Sequence, residues 1–303
     1  MIKKFDNILF QLQQENKRAV ALAFIRVAIS FWFIKELFFR YPAFEVLYSS
    51  NSYLKVNPEP LIKELHLNIN WLQLHYPWVI AVCVLTSIIH ILGIGKNLGS
   101  IAMFFCYSVL RAMNASFGNT GDEVCFIISF YLCFANSFEY ATLFKYKSLS
   151  PKLQSLYNLV SNLAAISLMV NLCMAYFYTG YFKLENKLWQ QGIGLQYSLY
   201  NERFHAFDYP KLLATKPWFY IPLNYIIILF EVTMPFLVWF KKWRNKVLFL
   251  MFLMHVYIYC TMLIFGMTFT FLLQYPIFYK NDELKAFFIK LKYTLFYTKA
   301  STN

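Results

Sequence analysis

Apolar residues in this chain arrive in blocks of about 20, and that block length constrains the fold more than any other feature. Wound as an α-helix at 1.5 Å per residue, such a block matches the ~30 Å hydrocarbon core of a bilayer. Seven blocks can be read, at roughly 19–40, 77–95, 98–116, 122–144, 157–182, 217–240 and 246–274. Hiding them in a soluble core is excluded by composition. Only 14% of the 303 residues are charged and 59% are hydrophobic, whereas a soluble domain carries roughly a quarter charged residues. The sequence therefore predicts an all-α, polytopic transmembrane helix bundle of about seven spans plus interfacial helices. No long linker, low-complexity segment or repeat interrupts it, so residues 1–303 read as one integral membrane domain.

Local signals agree with the blocks. Pro77, Pro151 and Pro217 stand at span starts, where a missing N–H does least harm. Gly93–Gly99 and the basic run Lys241–Lys246 read as tight turns, and Asn119–Asp122 as a turn with Asp122 as helix N-cap. The first block begins near Ala19 and is too long, and too charged at Arg26, for a cleaved signal peptide. It reads as a retained helix.

The formal charge of +13 would point to nucleic acid in a soluble protein. Here the basic residues sit between apolar blocks, where they anchor helices and set orientation, so no nucleic-acid partner is expected. Lys3, Lys4, Lys17, Arg18, Lys96, Lys145–Lys152 and Lys241–Lys246 fall on one side of a seven-span chain, and Gly118–Glu123 on the other contains no Lys or Arg. That pattern predicts a multi-pass protein of the cell (inner) membrane with a cytoplasmic N-terminus. It also leaves the basic tail, Lys280 to Lys299, outside, unless Glu283–Tyr297 is an amphipathic helix at the interface. The two long connections, 41–76 with His66, Trp71 and His75, and 183–216 with Trp189, Arg203, His205 and Asp208, then face outward. A site is expected there.

The cysteines (Cys83, Cys106, Cys125, Cys133, Cys173 and Cys260) include no CxxC pair, which argues against a disulfide framework or a zinc site. Buried thiols behaving as small hydrophobes are expected instead. There is no Walker A loop, HExxH, GxSxG or carboxylate cluster with ligand spacing, so no metal is expected.

Ionisable groups inside hydrocarbon are unfavourable by roughly 3 kcal/mol on insertion scales, which makes each a candidate for function. Arg26, Lys183, Glu231 and His255 qualify. Glu231 and His255 flank a turn centred near Trp243, each ~18 Å from it, so an antiparallel hairpin would set them at one depth. They read either as a structural pair or as part of a site. Arg26 reads as a counter-ion for Glu231 or for helix C-terminal carbonyls. Lys183 reads as an interfacial anchor or, if Tyr176, Phe177, Tyr181 and Phe182 enclose it, as a neutral amine able to act as a base.

Several of these residues lie in a pattern. Tyr176-Phe177-x-x-Gly180-x-x-Lys183-Leu184, then Trp189-x-x-Gly192, Glu231-x-x-x-Pro235, His255, Phe265-Gly266-Met267 and Pro276-Ile-Phe278 resemble the transmembrane core of vitamin K-dependent γ-glutamyl carboxylases. That core defines the HTTM superfamily. The layout, with Asn119-x-Gly121-Asp122, is most similar to its short bacterial branch of sporulation-delaying protein B-like proteins. The resemblance runs from Arg26 to about Phe278. It implies that Lys183 corresponds to the base that deprotonates the quinol, that His255 belongs to the active-site region, and that a quinol such as reduced vitamin K is a co-substrate. Two departures stand against a retained carboxylase: Phe182 replaces a family lysine, and the chain has no room for the large luminal domain of the eukaryotic enzymes.

Two function classes follow. One is a membrane enzyme that modifies or matures an exported peptide from the outer face, with Lys183 as base, His255 and Glu231 shaping the cavity, and a small partner protein beside it. The other is a non-catalytic membrane subunit or chaperone of a peptide export and maturation complex. A small-solute transporter is disfavoured, since no inverted repeat or paired broken helices are evident.

Overall fold

The computed structural model describes residues 2–50, 64–114, 119–147, 149–201 and 214–296. Arg203, His205 and Asp208, and Pro58 and Pro60 of the other long connection, lie outside them. Among the described residues the chain is all-helical, with no strand. Three helices are long and apolar enough to cross a membrane: α8 (Pro151–Glu185), α11 (Pro217–Leu237) and α12 (Lys241–Met262). Shorter apolar helices are α5 (Tyr76–Ile91), α6 (Asn97–Met113) and the segment Phe265–Phe278. The remaining elements are α1 (Ile2–Gln14), α2 (Ala19–Arg40), α3 (Phe44–Tyr48), α4 (Ile69–Leu74), α7 (Thr120–Leu132), α9 (Lys187–Gln190), α10 (Gly194–Tyr200), α13 (Phe265–Leu272) and α14 (Asn281–Phe296).

The chain forms two compact units. The first comprises residues 1–167 and 279–303. In it α2 packs on α5, α7 and α14, and α6 on α5 and α7. The buried face of α2 (Leu22, Ile25, Arg26, Ile29, Phe33, Leu37) recurs at helical spacing. Arg26 is fully buried in it. Its guanidinium donates to the carbonyls of His90, Ile91 (3.2 Å), Tyr140 (3.2 Å) and Ala141 (2.5 Å), and lies 4.9 Å from the centre of the Phe138 ring. The residue thus satisfies the open carbonyls at the α5 C-terminus, where a cation also meets the negative end of the helix dipole. Gly93, at φ +71, leaves the room it needs: a Cβ there would stand 2.9 Å from Arg26 Nη1.

One end of this unit is fastened by asparagines. From α8, Asn158 and Asn162 donate to carbonyls at the end of α1 and just beyond it, Asn162 reaching Leu12 at 2.8 Å and Glu15 at 2.7 Å. Asn16 donates to the Asn136 carbonyl at 2.7 Å. At the other end Arg40 pairs with Glu36 at 2.9 Å and Asp122 at 2.5 Å. The turn before α7 is a capping box, but with Asn119 as N-cap and Asp122 at N3, one helical turn earlier than expected.

The second unit, residues 168–278, holds the rest of α8 and the chain from α9 to Phe278. Two expectations are corrected here. The basic run Lys241–Lys246 is not a turn. It opens α12, and the turn is Val238–Phe240. A lysine-rich first turn is tolerated because its side chains extend to the interface. Nor is 246–274 a single helix. α12 stops at Met262, Leu263 turns left-handed at φ 51, and α13 folds back along α12, where Thr268 Oγ1 donates to the His255 carbonyl at 3.3 Å. The reversal runs the length of α12: Arg244 Nη1 donates to the Phe278 carbonyl at 2.9 Å, and the Trp239 and Phe278 rings meet edge-on at 6.0 Å.

Candidate functional site

The second unit brings three of the four membrane-depth candidates into two polar clusters. The first cluster pairs Lys183 of α8 with Glu231 of α11. Lys183 Nζ contacts both carboxylate oxygens, at 2.8 and 2.7 Å. Glu231 is 6% exposed, so its charge is nearly cut off from water and depends on this partner. Thr179, one turn before Lys183, donates its hydroxyl to the Tyr176 carbonyl at 2.9 Å. Gly180 makes the pairing fit: a Cβ at that position would stand 2.8 Å from Val232 Cγ2 and 3.0 Å from Glu231 Cβ. Only a residue without a side chain lets α8 and α11 approach this closely.

The second cluster lies two helical turns along the same face of α8. Tyr176 Oη bonds His255 Nε2 at 2.7 Å and Tyr275 Oη at 2.8 Å. Phe271 closes it, with ring contacts to Tyr176 and His255. His255 is 2% exposed, and its Nδ1 has no partner among the described residues. A tyrosine hydroxyl donates once, so donation runs either from Tyr275 through Tyr176 to His255 or the opposite way.

Glu231 and His255 are therefore not partners of each other. With the turn at Val238–Phe240, they lie roughly 12 and 24 Å from Trp239 along their helices, not at one depth. The aromatic enclosure on which a neutral Lys183 is conditional is not formed by Tyr176, Phe177, Tyr181 and Phe182. Tyr181 and Phe182 are exposed and Tyr176 serves His255. The ring that Lys183 meets is Trp189, 5.1 Å from Nζ to its centre.

Of the residues that position Trp189, sequence reasoning singled out Gly192 alone. Asn224 of α11, fully buried, donates to the Trp189 carbonyl at 2.9 Å and accepts from Leu195 N at 3.1 Å. Tyr225 Oη donates to the Gln190 carbonyl at 2.8 Å. Gly192 takes φ +79, and Gly194 abuts the Trp189 indole so closely that a Cβ would be 2.5 Å from it. The signal for Asn224 was in the sequence. It is an amide in an apolar helix, two turns before Glu231 and on the same buried face.

Between these parts lies an open groove of ≈ 270 Å³, lined by Lys183, Trp189, Tyr225, Ile228, Leu229 and Val232 among others. Lys183 is its one charged wall residue. The arrangement offers an apolar, aromatic slot with a lysine–carboxylate pair at one side. Among the described residues, no cluster of His, Cys, Asp or Glu could hold a metal ion. The chain matches no protein-family model, and no curated protein or solved structure matches it either.

Proposed function

We propose that the chain is a membrane-embedded HTTM-like enzyme that modifies or matures an exported peptide from the outer face of the cell membrane, its N-terminus cytoplasmic. The observation that carries this reading is the Lys183–Glu231 pair, whose lysine lines an apolar groove. An ion pair held mostly away from water gains little over its neutral form, because burial penalises both charges. Transfer of one proton from Lys183 to Glu231 leaves a neutral amine facing the groove, able to take a proton from a weakly acidic substrate. The ammonium so formed then stands beside the new anion. Trp189 bounds the slot in which the substrate's apolar part lies. By resemblance to the vitamin K-dependent carboxylases, that acid is a quinol such as reduced vitamin K; Phe182, where the family has a lysine, favours a maturation step other than γ-carboxylation.

The test is Lys183→Arg in the full chain in its native host, with the secreted peptides compared by mass with those of the parent. Arginine keeps the charge and the bond to Glu231 but does not act as a base. The variant is expected to reach the membrane at the parental level while the mass of the secreted peptide reverts to that of the unmodified form. A normally modified peptide would overturn the reading and favour a non-catalytic subunit or chaperone.

A further inference from the structure

α14 begins inside the asparagine-fastened end of the first unit. Its first residue is fixed three times to the chain just before and within α2: Asn281 N donates to the Lys17 carbonyl at 3.1 Å, Asn281 Nδ2 donates to the Asn16 carbonyl at 2.7 Å, and Asn281 Oδ1 accepts from Val20 N at 3.0 Å. Leu284 is buried one turn later. From Lys285 to Thr294 every residue is exposed. This run carries Phe287, Phe288, Ile289, Leu291 and Tyr293 together with Lys285, Lys290 and Lys292, and no acidic residue follows Glu283. Among the described residues Phe287, Phe288, Ile289 and Leu291 stand exposed side by side, so they need a non-aqueous neighbour.

The surroundings specify it. Lys285 Nζ sits 5.2 Å from the centre of the Tyr140 ring, and Lys145, Lys147 and Lys152 are exposed on the same unit. Hydrogen bonds tie their segments to the same end: Asn16 to the Asn136 carbonyl, and Tyr146 to the Gly93 carbonyl. Lysines interleaved with aromatic and aliphatic side chains match the boundary between headgroups and acyl chains, where apolar groups enter lipid and ammonium groups meet phosphate.

We propose that α14 and the basic end from which it starts form a binding surface for anionic lipid headgroups, with the helix lying in the plane of the interface. The occupant is the anionic lipid of the bilayer that holds the protein. Because α14 starts against Lys17, this surface lies on the membrane face from which α2 departs, and the chain between them crosses an even number of times. The return of Leu263–Phe278 along α12 reverses the chain once more than the seven-block reading counts.

The experiment is hydrogen–deuterium exchange on the full chain in nanodiscs of phosphatidylcholine alone and with phosphatidylglycerol added. Amides of residues 285–294 are expected to exchange at least tenfold more slowly in the anionic discs. High salt, and the triple variant Lys285→Gln/Lys290→Gln/Lys292→Gln, should each erase most of that difference, since a lysine near an anionic surface contributes roughly fivefold. Unchanged exchange in α2 would show that the variant is folded. Equal exchange in the two lipids overturns the proposal, and so does protection that follows protein concentration instead of lipid charge, the mark of a second copy.

Discussion

Arg26 shows how a charge is kept in a hydrophobic bundle without a carboxylate. Its guanidinium is spent on backbone carbonyls, four of them, at a helix end and a neighbouring loop. Arg26→Met is isosteric enough to fill the space but leaves those acceptors unpaired, at about 1–3 kcal/mol for each that finds no water. Its thermal unfolding midpoint in detergent is expected to fall well below that of the parent. Arg26→Lys should fall between them, because a single ammonium cannot reach all four oxygens of a planar fork. A midpoint unchanged in the methionine variant would mean that the carbonyls do not depend on the arginine. His90, beside it, is wedged between Ser30 (2.8 Å) and Ser100 (3.0 Å). Ser30 already gives its proton to the Arg26 carbonyl at 2.9 Å. The imidazole therefore carries its hydrogen on Nδ1 and accepts from Ser100, a neutral tautomer fixed by its neighbours.

At the scale of elements, α11 organises the site. Asn224 holds the loop that presents Trp189, Glu231 holds Lys183, and Pro235 removes the N–H that would close on the Glu231 carbonyl. Gly180 sets the distance between α8 and α11. Gly180→Val should push the helices apart and break the Lys183–Glu231 contact, with loss of peptide maturation, while Asn224→Leu should release the Trp189 loop and leave the ion pair in place. Cysteine crosslinking between positions 179 and 232 separates the two outcomes: it should weaken in the valine variant and persist in the leucine variant. Persistence in both would exclude Gly180 as the spacer. The long helices were legible because block length and proline placement are local signals: α2 begins at Ala19 and ends at Arg40, and α11 begins at Pro217, all as read. The interruption at Leu263 was not legible, since 246–274 is apolar on both sides of it and a non-glycine left-handed residue leaves no mark in composition. The misplaced turn at Lys241–Lys246 then carried an error into the depth of Glu231 and His255. Of the site, Lys183 and Glu231 were recognisable as residues but not as partners, because one-dimensional spacing does not give the rotation of a helix.

For the whole molecule, the number of membrane passes decides where the tail lies. Reporters fused before Met1 and after Asn303 are expected to read the same side. Opposite sides would restore an odd count and contradict the contacts of Asn281 with Asn16, Lys17 and Val20. Those contacts have a further consequence in time. A ribosome adds about 5–20 residues per second, so Val20 waits on the order of tens of seconds after its own synthesis for Asn281 to emerge. Throughout that interval the carbonyls of Asn16 and Lys17 and the amide of Val20 lack the partner that Asn281 later supplies. This end of the first unit is therefore closed only once residue 281 has been made, late in the synthesis of the chain.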